Sequence, residues 1–375
     1  MIYTSEPNIS KTEKLFINKS LKRGLISSFG KDIVRFENKF SKLYKFRYSL
    51  ALNSGTSALH IALLSNGVKK DDLVIVPNFS FAATINSVIY CGAQPWFHDT
   101  CKKNFLIDIE QVNKSLKENT FLRKGERFHN RTKQRVSCII PVTSFGNSIN
   151  FSEIIKLKRN FNIEVVIDGA AAHFAKFKGE ALGKTNLDFI FSFNGNKGFS
   201  TGSGGMYCTT SQKKTNTAKI LINVGQQAKK YNYKVVGFNY RMNNIQANLG
   251  LAQLSRYKFF LSQKKKIYDF YKKNIKTDGL IKNFFHLSVG SGYFWVYPII
   301  VKKNKKKFLS FLKKKKIYLT NFWKTLSKQK PYKNYLYENL ENSEKFSDQL
   351  VCLPSSTFLT EQQLKKIVKC INNFK

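Results

Sequence analysis

Apolar residues fall along this chain in two rhythms. Short unbroken runs, such as Leu73-Val-Ile-Val-Pro77 and Asp188-Phe-Ile-Phe-Ser-Phe193, alternate with longer stretches where apolar positions recur every three or four residues. The first kind predicts buried strands and the second amphipathic helices. Residues 12–47 read as two helical segments around the Ser27-Ser-Phe-Gly30 break, the second carrying Val34, Phe36, Phe40 and Leu43. Then follow strand Ser49–Leu52, helix Ala58–Asn66, strand Leu73–Pro77, helix Ala82–Tyr90 and strand Gln94–Phe97. The rhythm continues through strand Val136–Val142, helix Ser152–Phe161, strand Ile163–Ile167 and strand Asp188–Phe193. This alternation predicts an α/β fold whose mainly parallel sheet is covered by helices on both faces. Helix Ile245–Tyr257 closes the pattern, and a helix over 261–275 leads into a smaller domain with strand Tyr293–Val301, helix Lys306–Lys316 and helix Thr360–Asn373. The expected division is a large domain over 1–257 and a small C-terminal one over 258–375.

At 375 residues the chain is long enough for two cores. No apolar stretch approaches the ~20 residues that cross a bilayer, and the start lacks the basic-then-apolar pattern of a secretory signal. Cysteines 91, 101, 138, 208, 352 and 370 form no paired spacing, which predicts reduced, mostly buried thiols in a cytoplasmic protein. The charge is unusual: 64 Lys+Arg against 23 Asp+Glu, a formal +41. That excess is nearly all lysine and travels with abundant Asn, Ile, Phe and Tyr, residues that share A/T-rich codons. Its clusters, at Lys264–Lys266, Lys302–Lys307 and Lys313–Lys316, lack the arginines and interleaved aromatics of a nucleic-acid surface. Codon drift accounts for it, although a basic surface also favours capture of a phosphorylated substrate.

Candidate chemistry gathers where strands end, the edge at which such sheets bind ligands. Asp168 ends the run Glu164-Val-Val-Ile167, and Lys197 follows the run ending at Phe193, inside the small-residue stretch Asn194-Gly-Asn-Lys-Gly-Phe-Ser-Thr-Gly-Ser-Gly-Gly205. A carboxylate and an amine so placed suit pyridoxal phosphate. The lysine can hold the cofactor covalently, and the aspartate can keep its pyridine nitrogen protonated. A carboxylate at that point is equally served by the amides of the next turn. Gly55-Thr56-Ser57 follows a strand and opens a helix, which makes either a phosphate cradle or a plain N-cap. Ser192 offers another hydroxyl or is a buried strand serine. Phe81 can stack on a planar ring or belong to the core.

Read together, these stretches resemble the DegT/DnrJ/StrS family of pyridoxal-phosphate-dependent sugar-nucleotide aminotransferases along nearly the whole chain. The resemblance is carried by Ser27-Ser-Phe-Gly-Lys-Asp-Ile-Val-Arg-Phe-Glu37, Asn53-Ser-Gly-Thr-Ser-Ala-Leu59, Pro77-Asn-Phe-Ser-Phe-Ala-Ala-Thr84 and Ser192-Phe-Asn-Gly-Asn-Lys197. Gly237-Phe-Asn-Tyr-Arg-Met-Asn-Asn-Ile-Gln-Ala247 and Leu353-Pro-Ser-Ser356 extend it. It implies a fold-type I aminotransferase, working as a homodimer with shared active sites. In that family's terms Lys197 bonds the cofactor, Asp168 faces the pyridine nitrogen and Phe81 stacks on the ring. Gly55, Thr56, Ser57 and Ser192 hold the phosphate, while Asn239 and Arg241 reach the neighbour's cofactor or substrate. The motifs look most like enzymes of legionaminic-acid and related pathways (the UDP-N-acetylbacillosamine type). Those move an amino group, expected here from glutamate, to C4 of a nucleotide-linked 4-keto-6-deoxy-N-acetylhexosamine for surface polysaccharide. A branch that dehydrates instead carries histidine at position 197. No metal is implied. Four positions depart from the family's pattern: Ala171 stands for Gln or Glu, Thr143 for the His of Pro-Val-His, and Thr320 and Ser327 for an Arg and a His about Trp323. They motivate a second expectation, a cofactor-binding regulator without turnover. The charge alone motivates a third, a polyanion binder.

Overall fold

A computed structural model describes residues 1–227, 231–277, 280–283 and 295–374. Eight strands form the central sheet, in the order Leu336–Tyr337, Gln94–His98, Leu73–Pro77, Val136–Ile139, Glu164–Asp168, Asp188–Ser192, Gly205–Thr209, Tyr48–Leu52. Neighbours pair in parallel from Leu336–Tyr337 through Asp188–Ser192. Gly205–Thr209 alone runs against its neighbours, returning from the glycine-rich loop that carries Lys197.

Strand alternation sends successive side chains to opposite faces, and both faces are buried. Leu73, Ile75, Val165, Ile167, Phe189 and Phe191 join one apolar cluster with Phe36 and Phe40 of helix Lys31–Tyr44. Val74, Val76, Val166 and Ile190 join the other with Leu59, Ile61 and Leu63 of helix Gly55–Ser65. This is why these strands read as unbroken apolar runs rather than as alternating ones.

The expected elements are present with shifted ends. The regular ladder of Val136–Ile139 is shorter than the expected run to Val142: it is interrupted at Pro141, which has no N–H to donate, and resumes as a single parallel bridge from Val142 to Asp168. The strand expected over 293–301 spans Tyr297–Val301, and 293 and 294 lie outside the described residues. The hairpin Thr120–Arg123/Glu126–His129, the return strand Gly205–Thr209 and helices Ile109–Glu118, Gln212–Ile222 and Glu341–Gln349 were not anticipated. Three cysteines are buried and three part-exposed, against the expectation that most would be buried. Cys91 caps a helix, Cys101 follows a strand and Cys370 lies on a helix flank. Among the described residues no helix is long and apolar enough to cross a membrane.

A second, smaller sheet pairs Ile281–Asn283, Tyr297–Val301 and Leu350–Leu353. With helices Lys305–Lys314 and Glu361–Asn372 it encloses its own core around Tyr271, Tyr297, Ile299, Phe308 and Ile367. The chain crosses between the lobes: Ile2–Tyr3 pairs with Ile317–Tyr318, and Leu336–Tyr337 forms one edge of the large sheet.

Phe40 is fully buried, with ring contacts to Tyr44 at 4.5 Å, Phe191 at 5.0 Å and Phe193 at 5.7 Å. Phe40→Ala is expected to lower unfolding stability by about 3–5 kcal/mol, read from urea denaturation followed by far-UV circular dichroism. A loss below about 1 kcal/mol would mean that this cluster collapses to fill the space and is not the rigid backing of the sheet.

Candidate active site

The strand Glu164–Asp168 delivers Asp168, at its C-terminal end, into a cavity of about 400 Å³ between the lobes. Ser54, Gly55, Thr56, Phe81, Ser192 and Lys197 line the same cavity. Asp168 is buried. Its Oδ2 accepts from the Thr84 hydroxyl at 2.8 Å and its Oδ1 from the Ala170 N–H at 3.1 Å. Burial pushes its pKa above the usual carboxylate range; the two donors and the nearby Lys197 amine oppose that push. Thr84 ends the matching stretch Pro77–Thr84, and the sequence alone assigns it no role. Its signal was helical spacing: Thr84 sits one turn into the helix opened by Phe81, facing the strand ends.

Lys197 sits where the chain turns after Phe193. Its N–H donates to the Asn194 carbonyl at 2.9 Å, and Thr201 closes the loop onto the Phe193 carbonyl at 2.9 Å. Gly202 and Gly204, at φ 79° and 141°, take backbone conformations that a side chain would oppose. Enclosure lowers the amine's pKa to about 8, with Asp168 pulling the other way. At pH 7 about one such amine in ten is neutral, against about one in three thousand for an ordinary lysine. The Lys197 Nζ lies 3.7 Å from the centre of the Trp295 ring.

Helix Gly55–Ser65 points its N-terminus at the cavity. The Ser54 side chain caps it by accepting from the Ser57 N–H at 3.0 Å. The Ser57 hydroxyl donates to Asn53 Oδ1 at 2.7 Å and does not line the cavity, whereas Ser54 does. Glycine is required at 55, since a Cβ there would lie 2.7 Å from the Ser192 Cβ. That close approach places helix N–H groups beside the Ser192 hydroxyl, which is what an anion needs. Phe81, 59% exposed, stands at the cavity mouth.

Asn239 and Arg241 are not among the cavity's lining residues. Their segment runs beside the edge strand: the Asn53 N–H donates to the Tyr240 carbonyl at 2.9 Å, the Asn53 side chain to that of Asn239, and Arg241 bridges Leu52. The Arg241 guanidinium covers the exposed Phe29 ring at 4.7 Å. Of the four departures, Ala171, Thr143 and Thr320 line the cavity. Ser327 does not; its N–H donates to Asn78 Oδ1. The remaining wall is aromatic: Phe145 stacks on Trp323 at 4.9 Å, and Trp295 meets Phe322 edge-on at 5.3 Å. Trp295 and Phe145 carried no sequence signal beyond being two of many aromatics.

A helix N-terminus with a glycine-tight approach, a buried acid with capacity to accept further and an enclosed amine of lowered pKa together fit pyridoxal phosphate. The amine would hold its aldehyde carbon, Asp168 its ring nitrogen, and Gly55, Thr56 and Ser192 its phosphate.

The chain resembles known proteins along nearly its full length. A family model described as the DegT/DnrJ/EryC1/StrS aminotransferase family matches residues 7–372. Over 275 residues the chain is 35% identical to GDP-perosamine synthase of Escherichia coli O157:H7, covering 72% of this chain and 71% of that one. Over 281 residues it is 28% identical to the UDP-4-amino-4,6-dideoxy-N-acetyl-beta-L-altrosamine transaminase of Campylobacter jejuni subsp. jejuni serotype O:2, covering 74% and 70%. Its fold matches that of Helicobacter pylori PseC, an aminotransferase involved in the biosynthesis of pseudoaminic acid, with a TM-score of 0.88 at 22% identity over 99% and 98% of the chains.

Apoprotein given pyridoxal phosphate should develop a visible band whose rate of appearance rises with pH through about 8, as the Lys197 ammonium loses its proton. Lys197→Ala should abolish the band. Thr84→Val should leave it but weaken cofactor retention about tenfold, measured by dialysis, because the buried carboxylate loses a donor. A rate independent of pH between 6 and 9 would show that the enclosed amine is not the group that reacts.

Proposed function

The chain belongs to the DegT/DnrJ/EryC1/StrS aminotransferase family, and we propose that it moves an amino group, from glutamate, to C4 of a nucleotide-linked 4-keto-6-deoxy-(N-acetyl)hexosamine. The observation that carries this is the single cavity shared by Asp168, Lys197 and the N-terminus of helix Gly55–Ser65. The relatives' names supply the substrate class: a GDP sugar for one, and a UDP-linked 4-amino-4,6-dideoxy sugar for another. Their names divide over the nucleotide, so this reading commits to the sugar carbon and leaves GDP and UDP substrates for experiment.

Pyridoxal phosphate is the enzyme's cofactor, and when bound it supplies a sink for the electrons left behind as a carbon loses its proton. The protein's part is positional and electrostatic. Asp168, braced by Thr84 and the Ala170 N–H, holds negative charge at one end of the cavity. Lys197, once free, is a base whose pKa of about 8 suits moving a proton near neutral pH. Gly55, Thr56 and Ser192 anchor the phosphate, and the ring of Phe81 covers the mouth. The aromatic wall of Phe145, Phe322, Trp323 and Trp295 excludes water and offers flat faces to a sugar. With Ala171, Thr143 and Thr320 in place of larger polar groups, this wall binds the less polar side of the sugar. Neither the scaffold without turnover nor the polyanion binder is favoured, given an intact lysine and acid in one site.

We further propose that the enzyme acts in the cytoplasm as a homodimer. The exposed Phe29 and Val34 lie beside Arg241, and the exposed Val235 and Val236, the latter 91% exposed, shortly precede Asn239 in the chain. Exposed apolar side chains near two polar residues outside their own cavity support delivery of both to the neighbour's site.

Purified enzyme with glutamate and a nucleotide-linked 4-keto-6-deoxyhexose is expected to release 2-oxoglutarate and form the amino sugar, with activity lost at least about a thousandfold in Lys197→Ala. Co-expressing Lys197→Ala with Arg241→Ala should restore activity to about a quarter of the wild type, through mixed dimers that hold one intact site. No recovery in a mixture shown to form mixed dimers would mean that each site is built from one chain.

A further inference from the structure

Trp295 is fixed from several directions. Its N–H donates to the Phe145 carbonyl at 3.0 Å, its indole N–H donates to the Asn196 carbonyl, and its ring leans edge-on against Phe322. Its own carbonyl accepts at 2.6 Å from the Nζ of Lys264, a buried lysine on helix Tyr257–Asn274. The same Nζ donates at 2.6 Å to the carbonyl of Ser355, which follows strand Leu350–Leu353. Among the described residues no carboxylate pairs with Lys264. A lysine enclosed without an acid is an expensive way to tie two carbonyls. What the tie fixes is the indole whose face lies 3.7 Å from the Lys197 Nζ.

We propose that the indole face of Trp295 is the seat of the Lys197 amine whenever that amine is not covalently engaged, and that Lys264 is the positioning residue that holds this seat in place. The proposal rests on Lys197 being the residue that carries the cofactor. During a transamination the lysine must be released, stay aimed at the reacting carbons and be recaptured. A hydrogen-bond acceptor would bind it tightly in one direction. A π face attracts the ammonium without directing it, so the amine stays close and leaves easily. Tryptophan, with the strongest such face, is the suitable residue.

Other charged or titratable groups around Lys197 are Asp168 at the strand end, His173 in the turn beyond it, Lys264 on the long helix and Glu6 of the N-terminal segment, which lines a small cavity behind the lysine. Burial keeps His173 neutral, with its pKa lowered to about 3, and Lys264 is lowered to about 7.

The test follows the pH midpoint for capture of pyridoxal phosphate by the apoprotein, read from the visible band. A π face favours the ammonium, so Trp295→Leu should lower the midpoint by about one pH unit. Trp295→Phe, which keeps a weaker face, should lower it by about half as much and carries the test alone should the leucine variant not fold. Lys264→Met and Lys264→Gln both remove the amine, but only the glutamine keeps N–H donors for the two carbonyls. The methionine variant should shift the midpoint in the same direction as Trp295→Leu, and the glutamine variant should hold it at the wild-type value. A midpoint that is unmoved or raised in the Trp295 variants, as simple relief of burial would give, overturns the seat. Lys264→Met and Lys264→Gln behaving alike removes Lys264 from it. Absence of the band from the wild type, or its survival in Lys197→Ala, refutes the functional reading itself.

Discussion

The enclosure of one acid and one amine in the same cavity sets the terms for the rest of this protein. Burial disfavours charge on both Asp168 and Lys197, and each opposes that tendency in the other. The result is a carboxyl that needs donors to stay ionised and an amine that gives up its proton within reach of neutral pH. Both are held by backbone: Asp168 by the strand it ends, Lys197 by a loop closed through Asn194 and Phe193. Behind that loop Phe193 packs on Phe36, Phe40 and Phe199, so the aromatic core sets the position of the amine.

The cavity's other walls come from distant parts of the chain, and polar ties from the N-terminal segment join them. The Thr4 hydroxyl accepts from the Thr320 N–H, and the Ser5 hydroxyl donates to the Asn196 carbonyl at 2.8 Å. The first residues of the chain thus fasten the segment around Trp323 to the loop bearing Lys197. The Thr143 hydroxyl donates to the Asp168 carbonyl at 3.2 Å. A residue that thins the polar lining therefore still braces the strand end that carries the acid.

Charge divides by location. Lys197, Lys214 and Lys264 are drawn inward, and each has a specific environment there. Lys214 pairs with Glu164 and Asp188, whereas Lys264 donates to two backbone carbonyls. The lysine runs at 302–307 and 313–316 lie before, on and just after helix Lys305–Lys314, whose inner face is made by Phe308 and Leu312. That is the pattern of a solvated face, and it gives the +41 no structural role in the site.

Sequence by itself determined the parallel α/β sheet, because strands buried on both faces must be continuously apolar and the helices between them periodic. It also determined the acid, the amine and the glycine-tight helix start, since each sits at a strand end in a small-residue setting. What it left out has a common physical cause. Ser57 and Ser54 are indistinguishable as hydroxyls along the chain, and cap geometry decides which one faces the cavity. Thr84, Trp295 and Lys264 act through partners 84, 98 and 31 or more residues away, as donor to Asp168, face for Lys197 and donor to two carbonyls. Such pairings depend on how the two lobes close on each other. Local periodicity carries no information about that; only the folded chain places them.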